Sequence, residues 1–208
     1  MDKLQEKLGQ DFVVQNQNLH TENKIRVYKK VGNDVSQEVF VELQNNHENK
    51  IYNLILNQRG NEFNKEQFID REEAICALGI YAVSVLSDRV RDTETQNKIL
   101  EIEDNDFDFL KNLLNLKVGE SYFSILKEKR IAINLEQSKD DLYNICYINP
   151  DLQKIDLVKD REAPSAFLVL YNFTQKLKEF TSILNEWKKS TNISLHSEEK
   201  IRRLFLGK

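Results

Sequence analysis

The chain has 208 residues with 30 basic and 34 acidic side chains, a formal net charge of −4 and 40% apolar content. This balance excludes a global field toward nucleic acid or anionic lipid and is that of a folded globular protein. No apolar run approaches the ~20 residues needed to span a bilayer, and the opening MDKLQEKLGQ lacks the basic and apolar regions of a signal peptide, so a cytoplasmic protein that does not enter membranes is expected.

In chain order, Leu4 and Leu8 lie one helical turn apart with Gly9 after them, which predicts a short amphipathic helix ended by glycine. Residues 24–30 alternate at period two with Ile25 and Val27 on one face. Gly32, Asn33 and Asp34 supply a turn, and residues 37–43 alternate again with Val39, Val41 and Leu43 together, predicting a hairpin. Ile51 to Leu56 predicts a third strand, and the stretch between Phe63 and Phe68 reads as an edge strand or an ordered loop. Asp70 and Glu73 form the acidic variant of a capping box before a helix from Glu72 to about Leu86, so apolar all round that it must be covered on more than one side. Burial between two halves of the molecule is the expectation.

Residues 88–103 read as a charged surface segment or a frayed helix end. Asp104 or Asp106 caps a helix to about Lys117 with Phe107, Leu110, Leu113 and Leu114 inward and Gly119 as its stop. A second hairpin is expected from Tyr122–Leu126 and Arg130–Leu135, then strands at 142–145 and 155–158. Pro164 then opens a long helix whose seam runs Ala166, Leu170, Phe173, Leu177, Phe180, Leu184 and Trp187. That seam is expected in a core, with its end near Trp187 as the part available to a partner or a dimer. A last helix is expected from Ser197 as N-cap through Ile201, Leu204 and Phe205, with Arg202 and Arg203 near its end.

Several stretches echo each other. Asp70, Arg71, Glu72, Ile80 and Tyr81 match Asp160, Arg161, Glu162, Leu170 and Tyr171 at an offset of 90; Val39, Val41 and Leu43 match Ile131, Ile133 and Leu135 at 92; residues 51–54 match 142–145 at 91. The expected fold class is therefore α+β: two tandem copies of an antiparallel β-meander with a helix packed on it, related by internal duplication, residues 1–92 and 93–208, packed as one body.

Candidate chemistry is sparse. His20, His47 and His196 lie in separate polar loops without metal-ligand spacing, and no nucleophile, phosphate-loop or dinucleotide motif occurs. No catalytic, cofactor or metal residues are assigned, and no enzymatic activity is expected. Cys76 and Cys146 read as buried free thiols. The repeated Asp-Arg-Glu reads as helix capping. Glu101, Glu103, Asp104, Asp106 and Asp108 lack the loop glycine and terminal glutamate of a calcium hand; they read as a surface that complements a basic partner. Basic spots at 29–30, 127–130 and 202–203 are candidates for nucleic acid, against which the acidic balance argues.

The order of a strand hairpin, IYNLILNQRGNEF, Phe68 and DREEAI resembles the small immunity proteins of bacterial polymorphic-toxin systems over residues 24–86, and over 121–183 only through the repeat. The resemblance implies a sheet-and-helix inhibitor that blocks a cognate toxin. That family shares no catalytic motif, so it assigns no residue here. The expected function is thus a non-enzymatic, protein-binding inhibitor, with Glu101, Glu103, Asp104, Asp106, Asp108 and Trp187 as candidate partner contacts. Alternatives are a phage or mobile-element regulator of a defence system, and a nucleic-acid-binding accessory protein.

Overall fold

A computed structural model describes residues 2–18, 22–46, 50–88, 91–103, 106–139 and 141–208. The protein is α+β, with two compact units. One comprises Met1–Arg89 and Ser182–Gly207; the other comprises Val90–Thr181 with Lys208. The break near residue 90 lies close to the expected boundary, but the C-terminal stretch groups with the first unit.

The first unit contains α1 (Asp2–Leu8), β1 (Phe12–Asn18), β2 (Glu22–Val31), β3 (Asp34–Asn46), β4 (Ile51–Gln58), β5 (Asn61–Phe68) and α2 (Arg71–Leu86). The strands form an antiparallel sheet in the order β1-β2-β3-β4-β5. Its apolar face presents Ile25, Val27, Val41, Leu43, Leu54 and Phe68, all buried. The alternation that places them on one face is the period-two pattern of a half-covered sheet.

α2 begins where expected: the Asp70 carboxylate accepts hydrogen bonds from the backbone amides of Glu72 (2.8 Å) and Glu73 (2.9 Å). Its nearly all-apolar circumference is accounted for within this unit. α2 touches β2 to β5 on one side and α1 and the C-terminal helix α6 (Leu195–Leu206) on the other. Glu73 does not close the capping box. Its carboxylate accepts instead from the Ser194 amide (2.7 Å) and the Ser197 hydroxyl (2.6 Å), so it braces the start of α6. The N-cap of α6 is Ser194 rather than Ser197, which contributes the capped amide. Arg202 is buried against Glu198 (2.5 Å) and Glu199, while Arg203 stays exposed near the helix end.

The second unit contains α3 (Thr93–Leu100), α4 (Phe107–Lys117), a 3-10 turn at Glu120–Tyr122, β6 (Phe123–Ile125), β7 (Ala132–Gln137), β8 (Leu142–Ile148), β9 (Lys154–Glu162) and α5 (Ser165–Lys188) as far as Thr181. The sheet order is β6-β7-β8-β9. β6 runs parallel to β7, with Phe123 opposite Ile133, so the expected second hairpin is not formed. A three-residue strand is only about 10 Å long, and residues 126–131 are enough to run back beside it. Asn134, fully buried, holds that return: its carbonyl accepts from the Lys129 amide (2.8 Å) and its amide donates to the carbonyls of Lys129 (3.0 Å) and Ala132 (2.8 Å). The core is centred on Phe107, Tyr143 and Phe167, whose ring centroids are 5.8 to 6.1 Å apart.

The central strand pairs of the two sheets share a register. Leu43 faces Leu54 as Leu135 faces Ile145, and Val41 faces Leu56 as Ile133 faces Tyr147. The tripeptide echo does not follow suit. Asp70 caps a helix, whereas Asp160 lies within β9 at φ 50°, donating its amide to Asn144 (3.0 Å) and accepting from the Ser138 hydroxyl (3.0 Å). With five strands against four and a parallel edge in one sheet alone, internal duplication is not established.

Candidate functional site

The acidic segment lies in the second unit, between α3 and α4. Glu101, Glu103, Asp106 and Asp108 are all exposed; Asp104 lies outside the described residues, as do His20 and His47. Asp106 is the N-cap of α4, accepting from the Phe109 amide (3.0 Å), and Asp108 sits in the first turn, where the helix dipole favours an anion. Glu101 is different. It occupies the C-cap of α3, where the dipole disfavours a carboxylate. Helix stability therefore explains two of these acids and not Glu101.

Beside them are apolar side chains that no motif singles out. Phe109 (48% exposed) and Leu116 (81%) lie seven residues apart on α4, and Leu100 at the end of α3 is also half exposed. A signal for them exists in the spacing: if Leu110 and Leu114 face the core, positions 109 and 116 share the outer side of the helix. The result is a helix–connection–helix stretch with acids at one end and two large apolar side chains along one face. Among the described residues, no group of three His, Cys, Asp or Glu side chains could hold a metal ion.

Trp187 is not part of any such surface. In the first unit its ring is buried (6% exposed) over Gly79 of α2, with the Lys7 ammonium 5.7 Å from the ring centroid. The seam residues Ala166, Leu170, Leu177, Phe180 and Leu184 are likewise buried, and Phe173 is half-buried. Small size at position 79 makes the Trp187 contact possible: a Cβ there would fall inside contact distance of the indole and 3.2 Å from Leu4 Cδ1.

Two polar clusters lie elsewhere. On the second face of the first unit's sheet, Glu42 is 1% exposed; it is paired with Arg26, opposite it in register, and with Lys24 (3.7 Å), and accepts a hydrogen bond from the Gln44 side-chain amide (2.5 Å). Burial pulls the Arg26 pKa down, but its bond and charge contact with Glu42 outweigh this and raise it. In the second unit Asp92 caps α3 through the Thr95 amide (3.1 Å) and accepts from the Tyr171 hydroxyl (2.8 Å) of α5, with Lys117 of α4 3.6 Å away. The Thr95 side chain and amide, then Tyr171, hold the Asp92 carboxyl down at about 2; burial and Asp92 push Tyr171 up to about 12. These groups tie elements together. Cys76 and Cys146 are buried free thiols, each pushed up to about 12 by burial, which makes them poor nucleophiles.

No described helix is long and apolar enough to cross a membrane. Comparison with protein-family models, with curated proteins and with solved structures returns no match.

Proposed function

We propose that the chain is a non-enzymatic, protein-binding inhibitor of the immunity type, acting in the cytoplasm on a basic toxin domain. The observation that carries this reading is the exposed α3–α4 stretch, where Phe109 and Leu116 lie open on α4 and Glu101, Glu103, Asp106 and Asp108 are exposed toward its N-terminal end. Acids at such a rim steer a cationic partner and select against anionic ones, while large apolar side chains supply the desolvated anchor. The position of Glu101 against the α3 dipole supports a role outside folding.

The test begins with capture of the bound protein from the native host and its identification, followed by affinity measurements with the purified partner. Replacing Glu101, Glu103, Asp104, Asp106 and Asp108 by their amides is expected to weaken binding and flatten its salt dependence. Asparagine at position 106 still caps α4. Phe109→Ala and Leu116→Ala are each expected to cost about tenfold in affinity. Affinity and salt dependence unchanged by the acid replacements would refute the acidic half of the proposal, and a chain retained on a polyanion column with steep salt dependence would favour nucleic acid instead.

A further inference from the structure

Four strands stand at sheet edges, and three are defended against pairing with another chain. β5 carries Glu62, Lys65 and Glu66 and a register shift opposite Leu54 and Ile55; β9 carries Lys154, Asp156, Lys159, Asp160, Arg161 and Glu162; β6 is only three residues long. Charges, irregularities and shortness are the usual means of blunting an edge. β1, reading FVVQNQN, has no charge, no proline and no register shift against β2.

Its hydrogen bonding shows which backbone groups face outward. The Lys30 amide donates to Asp11 (2.8 Å), so Val13, Gln15 and Gln17 exchange bonds with β2 while the amides and carbonyls of Phe12, Val14, Asn16 and Asn18 point away from it. The first part of this outer edge is already occupied. The Gln5 side chain of α1 accepts from the Val14 amide (3.0 Å) and donates to the Phe12 carbonyl (2.9 Å), standing in for one residue of a neighbouring strand. Beyond it, among the described residues, no hydrogen bond reaches the Val14 carbonyl, either backbone group of Asn16, or the Asn18 amide from the outer side.

We propose that this outer half of β1 pairs with the same segment of a second copy of the chain, antiparallel about a twofold axis at Asn16. That register gives Asn16 amide-to-carbonyl bonds to Asn16 of the second copy in both directions, and Asn18 amides to Val14 carbonyls in both directions, using the groups left open. A twofold axis sets the central residue against itself, so a charge there is self-repelling; a neutral Val-Gln-Asn-Gln-Asn segment meets its own copy without penalty. A pairing this short makes a small contact, so a dissociation constant on the order of 10–100 μM is expected.

Sedimentation equilibrium of the full chain between about 5 and 300 μM is the measurement, with backbone hydrogen exchange at both ends of that range. The expected result is a mass rising from 24.5 kDa toward twice that value, with Asn16 and Asn18 amides gaining protection. Asn16→Lys should weaken association about tenfold at unchanged circular dichroism, and Gln5→Ala, which uncovers the Phe12 and Val14 groups, should strengthen it. A chain monomeric throughout the range, or one whose self-association ignores Asn16→Lys, overturns the proposal; so does protection of the Asn16 amide that arises only when a different protein is added.

Discussion

Gly79 is a helix-interior glycine whose value lies in what it omits. Alanine there would gain about 1 kcal/mol of helix propensity, yet its Cβ would press into the Trp187 ring and approach Leu4. Overpacking of this kind costs about 1–3 kcal/mol, so Gly79→Ala is expected to destabilise by up to about 2 kcal/mol net. The measurement is thermal unfolding followed by Trp187 fluorescence, the chain's one tryptophan. Combining it with Trp187→Leu, monitored by circular dichroism, should give a loss smaller than the sum of the two single losses, because the clash is then already relieved. The same residue scale separates the two Asp-Arg-Glu tripeptides. Identical letters produce a helix cap at Asp70 and a strand residue at Asp160, since Asp70 leads into an apolar helical run while Asp160 continues a strand already paired with β8.

At the scale of elements, the start of α3 is fixed by a carboxylate. Asp92 caps it and anchors it to Tyr171 of α5, and its folded-state pKa of about 2 lies below its ordinary 3.8. A depressed carboxylate pKa contributes stability that is present above about pH 4 and is lost as the pH falls toward 2. Asp92→Asn should therefore lower stability at neutral pH and remove that part of the acid sensitivity, as denaturant titrations at pH 7, 4 and 2.5 would register. Legibility in the sequence also varied by element. α1, β2, β3, β4, α2, α4 and α5 announced themselves through period, glycine stops and acidic caps. β1 did not, because QNQN offers no apolar alternation and a strand at the margin of a sheet requires none. β5 looked half like a loop for a similar reason, since an edge strand needs little apolar content. Strand direction at β6 is invisible to alternation, which is the same whether the neighbour is parallel or antiparallel. The exposed site fares likewise: its acids stand out as a run, whereas Phe109 and Leu116 follow only indirectly, as the positions opposite the expected core side of α4.

For the molecule as a whole, the first unit is assembled from two stretches separated in sequence, Met1–Arg89 and Ser182–Gly207. Residues 182–207 supply Trp187 to Gly79, and Ser194 and Ser197 to Glu73, and they place α6 against α2. A chain cut after Thr181 should leave α2 bare on that side, and is expected to be recovered as aggregate or as a species that binds more hydrophobic dye than the intact chain. This discontinuity sets a schedule during synthesis. A ribosome releases the sheet, α1 and α2 first, but the first unit waits through the second unit's residues, up to Thr181, before its own tryptophan can arrive. For that interval the flank of α2 that α6 and Trp187 cover stays open to solvent, and the second unit, though translated later, has most of its parts in hand sooner.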